Sequence, residues 1–189
     1  MKIRPEQIGF DFDGVIADIG EAFLRLACKD HNYCSLKLEE ITTFQVEICT
    51  KIPEAIVQTI FTDILKDSLA TGLLPIPGAV DTLTMLAQKS GITIITARSL
   101  ANPVSDWLDN YLAPSTCARI NLIAMSDHNE KVRFIKQQNL QFFVDDRAET
   151  CLQIAEAGLT PLLYQQPWNR SWNGYTTVGN WQEIEDFIL

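Results

Sequence analysis

Five apolar runs of strand length punctuate the chain: IGFDF (8–12), ITIITA (92–97), INLIAM (120–125), QFFVDD (141–146) and TPLLYQ (160–165). Several are apolar without alternation and rich in Ile, Val and Phe, the pattern of strands covered on both faces of a parallel sheet. Helical stretches lie between them, over 78–89, 103–112, 128–138 and 148–157; in the first, Val80, Leu83 and Leu86 recur at helical spacing. This alternation predicts an α/β fold, a doubly wound parallel sheet with right-handed crossovers.

The stretch 16–76 breaks the rhythm, because it holds more chain than one crossover helix uses. Residues 19–29 read as a helix. Over 52–69, Ile52, Ile56, Ile60, Ile64 and Leu69, with Val57, Phe61 and Leu65 beside them, form one broad apolar stripe, the signature of an amphipathic helix. With no strand-like run among them, these residues predict a small helical cap inserted after the first strand. LLPIPGAV (73–80) supplies the Pro and Gly punctuation for the return. The expected division is a core of 1–15 and 77–189 and a cap of 16–76.

Composition narrows the function. The 189 residues are 47% hydrophobic and 21% charged, which suits an ordinary globular chain and excludes disorder as a global description. The apolar runs fall far short of the roughly 18–20 residues of a membrane span, and the N-terminus lacks a signal-length apolar stretch, so a cytoplasmic protein is expected. Fifteen Lys and Arg against 24 Asp and Glu leave a net charge of −9, which disfavours duplex nucleic acid as a partner but leaves room for a small anion held by a local cation. Five scattered cysteines (Cys28, Cys34, Cys49, Cys117 and Cys151) argue against a disulfide scaffold. Cys28 and His31 have a C-x-x-H spacing, yet no second ligand pair follows for zinc. His31 and His128 are the only histidines, so proton transfer falls mainly to carboxylates.

Those carboxylates sit at strand ends. Asp11 and Asp13 end the first run, two apart, and strand alternation would point both to one side. Asp145 and Asp146 end the fourth. Ligands of open α/β sheets bind beyond the carboxyl ends of strands, where strand order reverses, so the four acids are expected to share one crevice. Two ionised carboxylates about 4 Å apart repel by roughly 4 kcal/mol at an effective dielectric near 20. A shared crevice therefore needs a cation or raised pKa values, and hard oxygen ligands in this number suit Mg²⁺. The plainer reading, that each Asp is a turn former or helix cap, fits one isolated acid better than two pairs at two strand ends.

At this point DFDGVIAD (11–18) resembles the first motif, D-x-D-G-x-[VTI], of the haloacid dehalogenase superfamily of phosphohydrolases. Thr96 in IITARS resembles the second motif, Lys131 the third, and VDDR with Asp145 and Asp146 the acidic fourth, in the expected order and over nearly the whole chain. The narrower resemblance is to the 5′(3′)-deoxyribonucleotidase-like family, with its short helical cap; VDDR and the tripeptide Pro167–Asn169 support it.

The resemblance implies a phosphatase of a small phosphomonoester, a sugar phosphate or a nucleotide, that works through an aspartyl-phosphate. Asp11 would be the nucleophile and Asp13 the general acid and base. Mg²⁺ would sit between Asp11, the main-chain carbonyl of Asp13 and Asp145, with Asp146 holding a metal-bound water or orienting Lys131. Thr96, Lys131 and the amides of Phe12 and Asp13 would bind the phosphoryl oxygens. Arg98 and Arg147 follow motif residues, and either phosphate steering or ion pairing fits them. Asp18 reads as a helix N-cap, and a core place is the simpler reading for Phe44 and Trp168. Three other readings fit less well. A dehalogenase needs neither Mg²⁺ nor Asp13, a phosphomutase suits the small cap poorly, and a non-catalytic phosphate-binding relative would be expected to have lost a motif residue.

Overall fold

A computed structural model describes residues 2–127 and 130–188. The chain begins with β1 (Ile8–Phe10) and passes through helices α1 (Ile19–His31), α2 (Val46–Cys49) and α3 (Glu54–Lys66). It continues as α4 (Ala79–Ala87), β2 (Ile92–Thr96), α5 (Asn102–Tyr111), α6 (Pro114–Cys117) and β3 (Ile120–Ala124). Next come α7 (Lys131–Gln137), β4 (Phe142–Asp145), α8 (Ala148–Glu156) and β5 (Thr160–Tyr164), and then β6 (Thr176–Val178) and α9 (Trp181–Ile188). The expected helix 128–138 is described only from Lys131; its first residues, His128 and Asn129, lie outside the described residues.

Among the described residues the strands form one parallel sheet in the order β3-β2-β1-β4-β5-β6. The chain builds outward from β1 on one side and then returns to its other side with β4, so strand order reverses between them. Phe10 lies opposite Val144 in the register, which puts the next residues, Asp11 and Asp145, side by side at that reversal. The central strands are buried as their unbroken apolar runs require: Ile8, Phe10, Ile94, Ile95, Phe143 and Val144 have at most 1% exposure. Removing each such side chain from water contributes about 1.5–3 kcal/mol.

The sixth strand and the last helix were not expected from the sequence. Thr176 and Thr177 of β6 are exposed, so it shows no apolar run and exists because β5 offers it an edge. The last helix does carry a signal, with Trp181, Ile184 and Ile188 buried at i, i+3 and i+7.

The helices after β1 pack on one another, α1 against α3. Asp18 caps α1 as expected, accepting from the Glu21 amide at 3.0 Å. The apolar stripe of 52–69 is narrower than its sequence implies. Val57, Ile60 and Ile64 of α3 are buried, but Leu65 and Leu69 are exposed. Where this segment leaves and rejoins the core, the chain runs alongside itself: Asp18 donates to the Leu74 carbonyl and Ile76 to the Ile16 carbonyl, both at 2.8 Å. The cysteines also differ from expectation, for Cys28 and Cys34 form a disulfide. Their separation is short enough for the turn after α1 to close it, and Cys28 is thereby withdrawn from any zinc site with His31. Among the described residues, no helix is long and apolar enough to cross a membrane.

Candidate active site

The site is built where β1 and β4 end. The Asp11 amide donates to the Val144 carbonyl at 2.9 Å, the last ladder bond of that pair. The Asp11 Oδ1 accepts from the Phe12 amide at 2.8 Å. Lys131, the first residue of α7, reaches in from the side. Its Nζ lies 2.8 Å from Asp11 Oδ2 and 2.7 Å from Asp145 Oδ2, and the lysine is wholly buried. Its partners are therefore Asp11 and Asp145, so of the two roles the resemblance offers Asp146, orienting Lys131 is taken by others.

Carboxylate oxygens of Asp11, Asp145 and Asp146 lie within 4.8 Å of one another, and all three residues are buried. Asp145 spends one oxygen on Lys131 and accepts from the Arg147 amide with the other, at 2.9 Å. Asp146 accepts from the Trp168 indole N–H at 2.8 Å. Burial pushes the Asp11 carboxyl up to about 7; Lys131 pulls against that shift, while Asp145 and Asp13 add to it. Asp146 is pushed well above the usual carboxylate range, by burial first and then by Asp145 and Asp11. Burial by itself would lower Lys131, but Asp11 and Asp145 more than offset that and hold it protonated. One ammonium facing three buried acids leaves an excess of negative charge, and oxygen donors in this number fit a hard divalent cation such as Mg²⁺.

Asp13 stands apart from this trio. It lies beyond the end of β1, in a turn bridged to Ala17, so strand alternation no longer sets its direction. Its carboxylate is gripped by Arg98, with Nε to Oδ2 at 2.8 Å and Nη2 to Oδ1 at 2.6 Å. Arg98, expected as a phosphate ligand, is thus committed to a carboxylate, and its Nη1 reaches Ser68 Oγ at 2.6 Å. Gly14 follows with φ +73, and a Cβ there would collide with the Asp146 carboxyl. A side chain at position 14 is therefore excluded on two counts.

Thr96, the last residue of β2, is buried; its Oγ1 accepts from the Arg98 amide at 3.3 Å. The Phe12 side chain turns away from the acids and packs edge-on against Trp107, with centroids 5.0 Å apart. Its backbone is engaged as well, the amide with Asp11 Oδ1 and the carbonyl with the Ile16 and Ala17 amides, so Phe12, expected as a phosphate ligand, is committed within the protein.

Asp11, Asp13, Thr96, Arg98 and Asp146 open into a cleft of about 310 Å³. The opposite wall comes from the helical segment and is mostly apolar, with Phe23, Ile41, Val57, Phe61 and Leu65. Phe23 and Phe61 stack at 5.0 Å. Phe44 is a cleft residue rather than core, 40% exposed, with the Arg147 guanidinium 5.0 Å from its ring centre. Trp168, too, lines the cleft.

Several site residues escaped the sequence reading. Ser68 carries no signal in its neighbourhood. Asn169 donates to the carbonyls of Asp146 and Tyr164, at 2.7 and 2.8 Å, and Gln166 donates to the Gly14 carbonyl at 2.8 Å. The late tryptophans were the available hint. Trp168 binds Asp146, and the Trp181 indole donates to the Val15 carbonyl at 2.8 Å, so both brace the acidic loops.

A model of the family described as 5′ nucleotidase, deoxy (pyrimidine), cytosolic type C protein matches residues 4–189. No curated protein matches the sequence. Among solved structures, the chain resembles a haloacid dehalogenase-superfamily hydrolase from Ehrlichia chaffeensis, at 15% identity and a TM-score of 0.56, covering 99% of this chain and 97% of that one. It also resembles a haloacid dehalogenase-like hydrolase from Streptococcus pneumoniae, at 15% identity and a TM-score of 0.63, covering 95% and 97%. A third is CbbY from Rhodobacter sphaeroides, solved with xylulose 1,5-bisphosphate, at 15% identity and a TM-score of 0.57, covering 97% and 99%. At these identities the likeness speaks for the fold.

Proposed function

The chain belongs to the cytosolic type C deoxy (pyrimidine) 5′-nucleotidase family of haloacid dehalogenase-superfamily phosphatases, and from that premise we propose that it hydrolyses pyrimidine deoxynucleoside monophosphates with Mg²⁺. The observation that carries this reading is the meeting of Asp11, Lys131, Asp145 and Asp146 at the β1–β4 reversal, under an apolar wall. A flat base can cover the Phe23, Phe61 and Val57 face, which gives a sugar phosphate's hydroxyls no partner, while Thr43, Gln45, Glu47 and Gln58 in the same lining offer the base's polar edge theirs.

The Asp11 carboxylate attacks phosphorus and forms the aspartyl-phosphate as the ester P–O bond breaks. Asp13 gives its proton to the departing alkoxide. It then takes a proton from the attacking water, and phosphate leaves with the Asp11 carboxylate restored. Thr96 and the Asp13 amide receive the phosphoryl oxygens. Lys131 neutralises Asp11 and Asp145 and fixes where the nucleophile stands. Asp11, Asp146 and the Asp13 carbonyl would hold Mg²⁺, which when bound would supply the positive charge that lets an anionic phosphate approach Asp11. Asp146 takes this role ahead of Asp145, whose two oxygens already serve Lys131 and the Arg147 amide. The residues of 16–76 act as the cap that shapes specificity over a core of 1–15 and 77–189. A cytosolic place accords with the family's description, and Cys28 and Cys34 would be reduced there.

The test is phosphate release by the purified protein from a panel of nucleotides and sugar phosphates, with Mg²⁺ and with EDTA, and again for Asp11→Asn. The expected result is Mg²⁺-dependent release, fastest from pyrimidine deoxynucleoside monophosphates and absent in the variant. Faster release from sugar phosphates overturns the substrate class, and activity persisting in Asp11→Asn removes the nucleophile.

A further inference from the structure

We propose that Arg98 is a positioning residue for Asp13 and that Ser68 couples this arrangement to the helical cap. The inference rests on the reading of Asp13 as the general acid and base. The guanidinium meets the carboxylate edge to edge through two of its nitrogens, at 2.8 and 2.6 Å, a geometry that fixes orientation and leaves a lone pair on each oxygen for the proton that Asp13 transfers. Asp13 needs such a partner. It sits in a turn beyond the strand, its side chain is 21% exposed, and nothing in the ladder holds it.

Arg98 is itself held from several sides. Its backbone amide is tied to Thr96 Oγ1, its Cζ lies 5.0 Å from the centre of the Phe12 ring, and its third nitrogen, Nη1, donates to Ser68 Oγ at 2.6 Å. With only 4% exposure and a donor from each of Nε, Nη1 and Nη2 engaged, it serves Asp13 and Ser68 ahead of the phosphate.

Ser68 brings the cap into the arrangement. It follows α3, is wholly buried, and donates its one hydroxyl proton to the Ile64 carbonyl at 3.1 Å, so its oxygen faces Arg98 as an acceptor. The face of α3 that carries Val57, Gln58, Phe61 and Leu65 lines the cleft. A substrate seated against that face therefore bears on the helix that holds Ser68, and through Arg98 on the group that protonates the leaving oxygen.

Leaving-group chemistry separates this role from the others. An alkoxide needs a proton to depart, whereas 4-nitrophenolate does not, and both routes need Asp13 to activate water. The experiment compares Arg98→Met, Arg98→Lys and Ser68→Ala with the wild-type enzyme in Mg²⁺. The substrates are the best alkyl phosphomonoester of the panel above and 4-nitrophenyl phosphate. Arg98→Met is expected to lower kcat for the alkyl ester by on the order of 10²-fold with KM within threefold, while retaining a burst of one nitrophenolate per site from the aryl ester. Arg98→Lys, a point charge without the fork, recovers part of the loss. In an Asp13→Asn background Arg98→Met adds nothing, which a merely structural role would not produce. Ser68→Ala lowers kcat for the alkyl ester several-fold and leaves the burst intact.

A raised KM with loss of the burst would make Arg98 a phosphate ligand and overturn the proposal. Additive effects with Asp13→Asn, or full kcat in Arg98→Lys, overturn the fork, and an unchanged kcat in Ser68→Ala overturns the link to the cap. Should Arg98→Met fail to fold, the other two variants decide. A wild-type enzyme inert toward every phosphomonoester overturns the phosphatase reading itself, whereas the variant outcomes overturn only this one.

Discussion

Lys131 stands between Asp11 and Asp145, its Nζ 2.8 Å from one and 2.7 Å from the other, with no exposure to water. A lysine so placed does two things at once. It cancels part of the charge that three neighbouring acids would otherwise accumulate, and with the Phe12 amide on the other oxygen it fixes how the Asp11 carboxylate stands. Removing it leaves buried carboxylates uncompensated, and breaking a buried pair in this way costs about 3–5 kcal/mol. Lys131→Met is expected to lose that much stability in urea unfolding without metal. A loss under about 1 kcal/mol would mean that water reaches the acids and replaces the lysine.

The acids also set a pH dependence. The folded protein keeps the Asp11 proton until pH about 7, whereas the unfolded chain releases it near 3.8. Between these values the folded state binds more protons, so stability of the metal-free protein falls as pH rises from about 4 to about 7 and then levels. Asp146, shifted in the same direction, adds to the slope. A cation competes with those protons, so the rise in Tm on adding Mg²⁺ is expected to be larger at pH 8 than at pH 5. Equal increments at both would show that the acids do not hold the ion.

Trp168 donates its indole N–H to Asp146 at 2.8 Å, and partners that orient a metal ligand typically matter 10- to 100-fold in affinity. Trp168→Phe keeps the ring and removes the donor. The Mg²⁺ concentration for half-maximal phosphate release is expected to rise about 10-fold, and the change in tryptophan fluorescence on Mg²⁺ addition to shrink. An unaltered Mg²⁺ dependence would reduce the indole to a wall of the cleft.

The Cys28–Cys34 disulfide closes a short loop, with a sequence separation of 6, after the helix α1. For so short a ring the unfolded-state constraint is worth about 2 kcal/mol. Adding reductant is expected to lower stability by that amount, read as a shift of the urea midpoint, and Cys34→Ser to reproduce it with no further effect of reductant. An unshifted midpoint would show that the turn is held by its own backbone bonds.

The amino-acid sequence alone determined the alternation of strands and helices, the helical segment between the first two strands and the gathering of acids at strand ends. It did so because burial on two faces leaves unbroken apolar runs, helices repeat every 3.6 residues, and Asp is depleted within strands, so that two acidic pairs at two strand ends stand out. Position along the chain was enough to place Asp11 beside Asp145 once β1 and β4 were neighbours. The tertiary structure alone decided which charge meets which. Arg98 reaches Asp13 across 85 residues of chain; Lys131 takes Asp11 and Asp145; Ser68, Trp168 and the edge strand β6 find their partners only when distant elements pack. Periodicity is a local property and survives in the sequence, whereas a hydrogen bond between side chains depends on rotamers and on the packing that sets them.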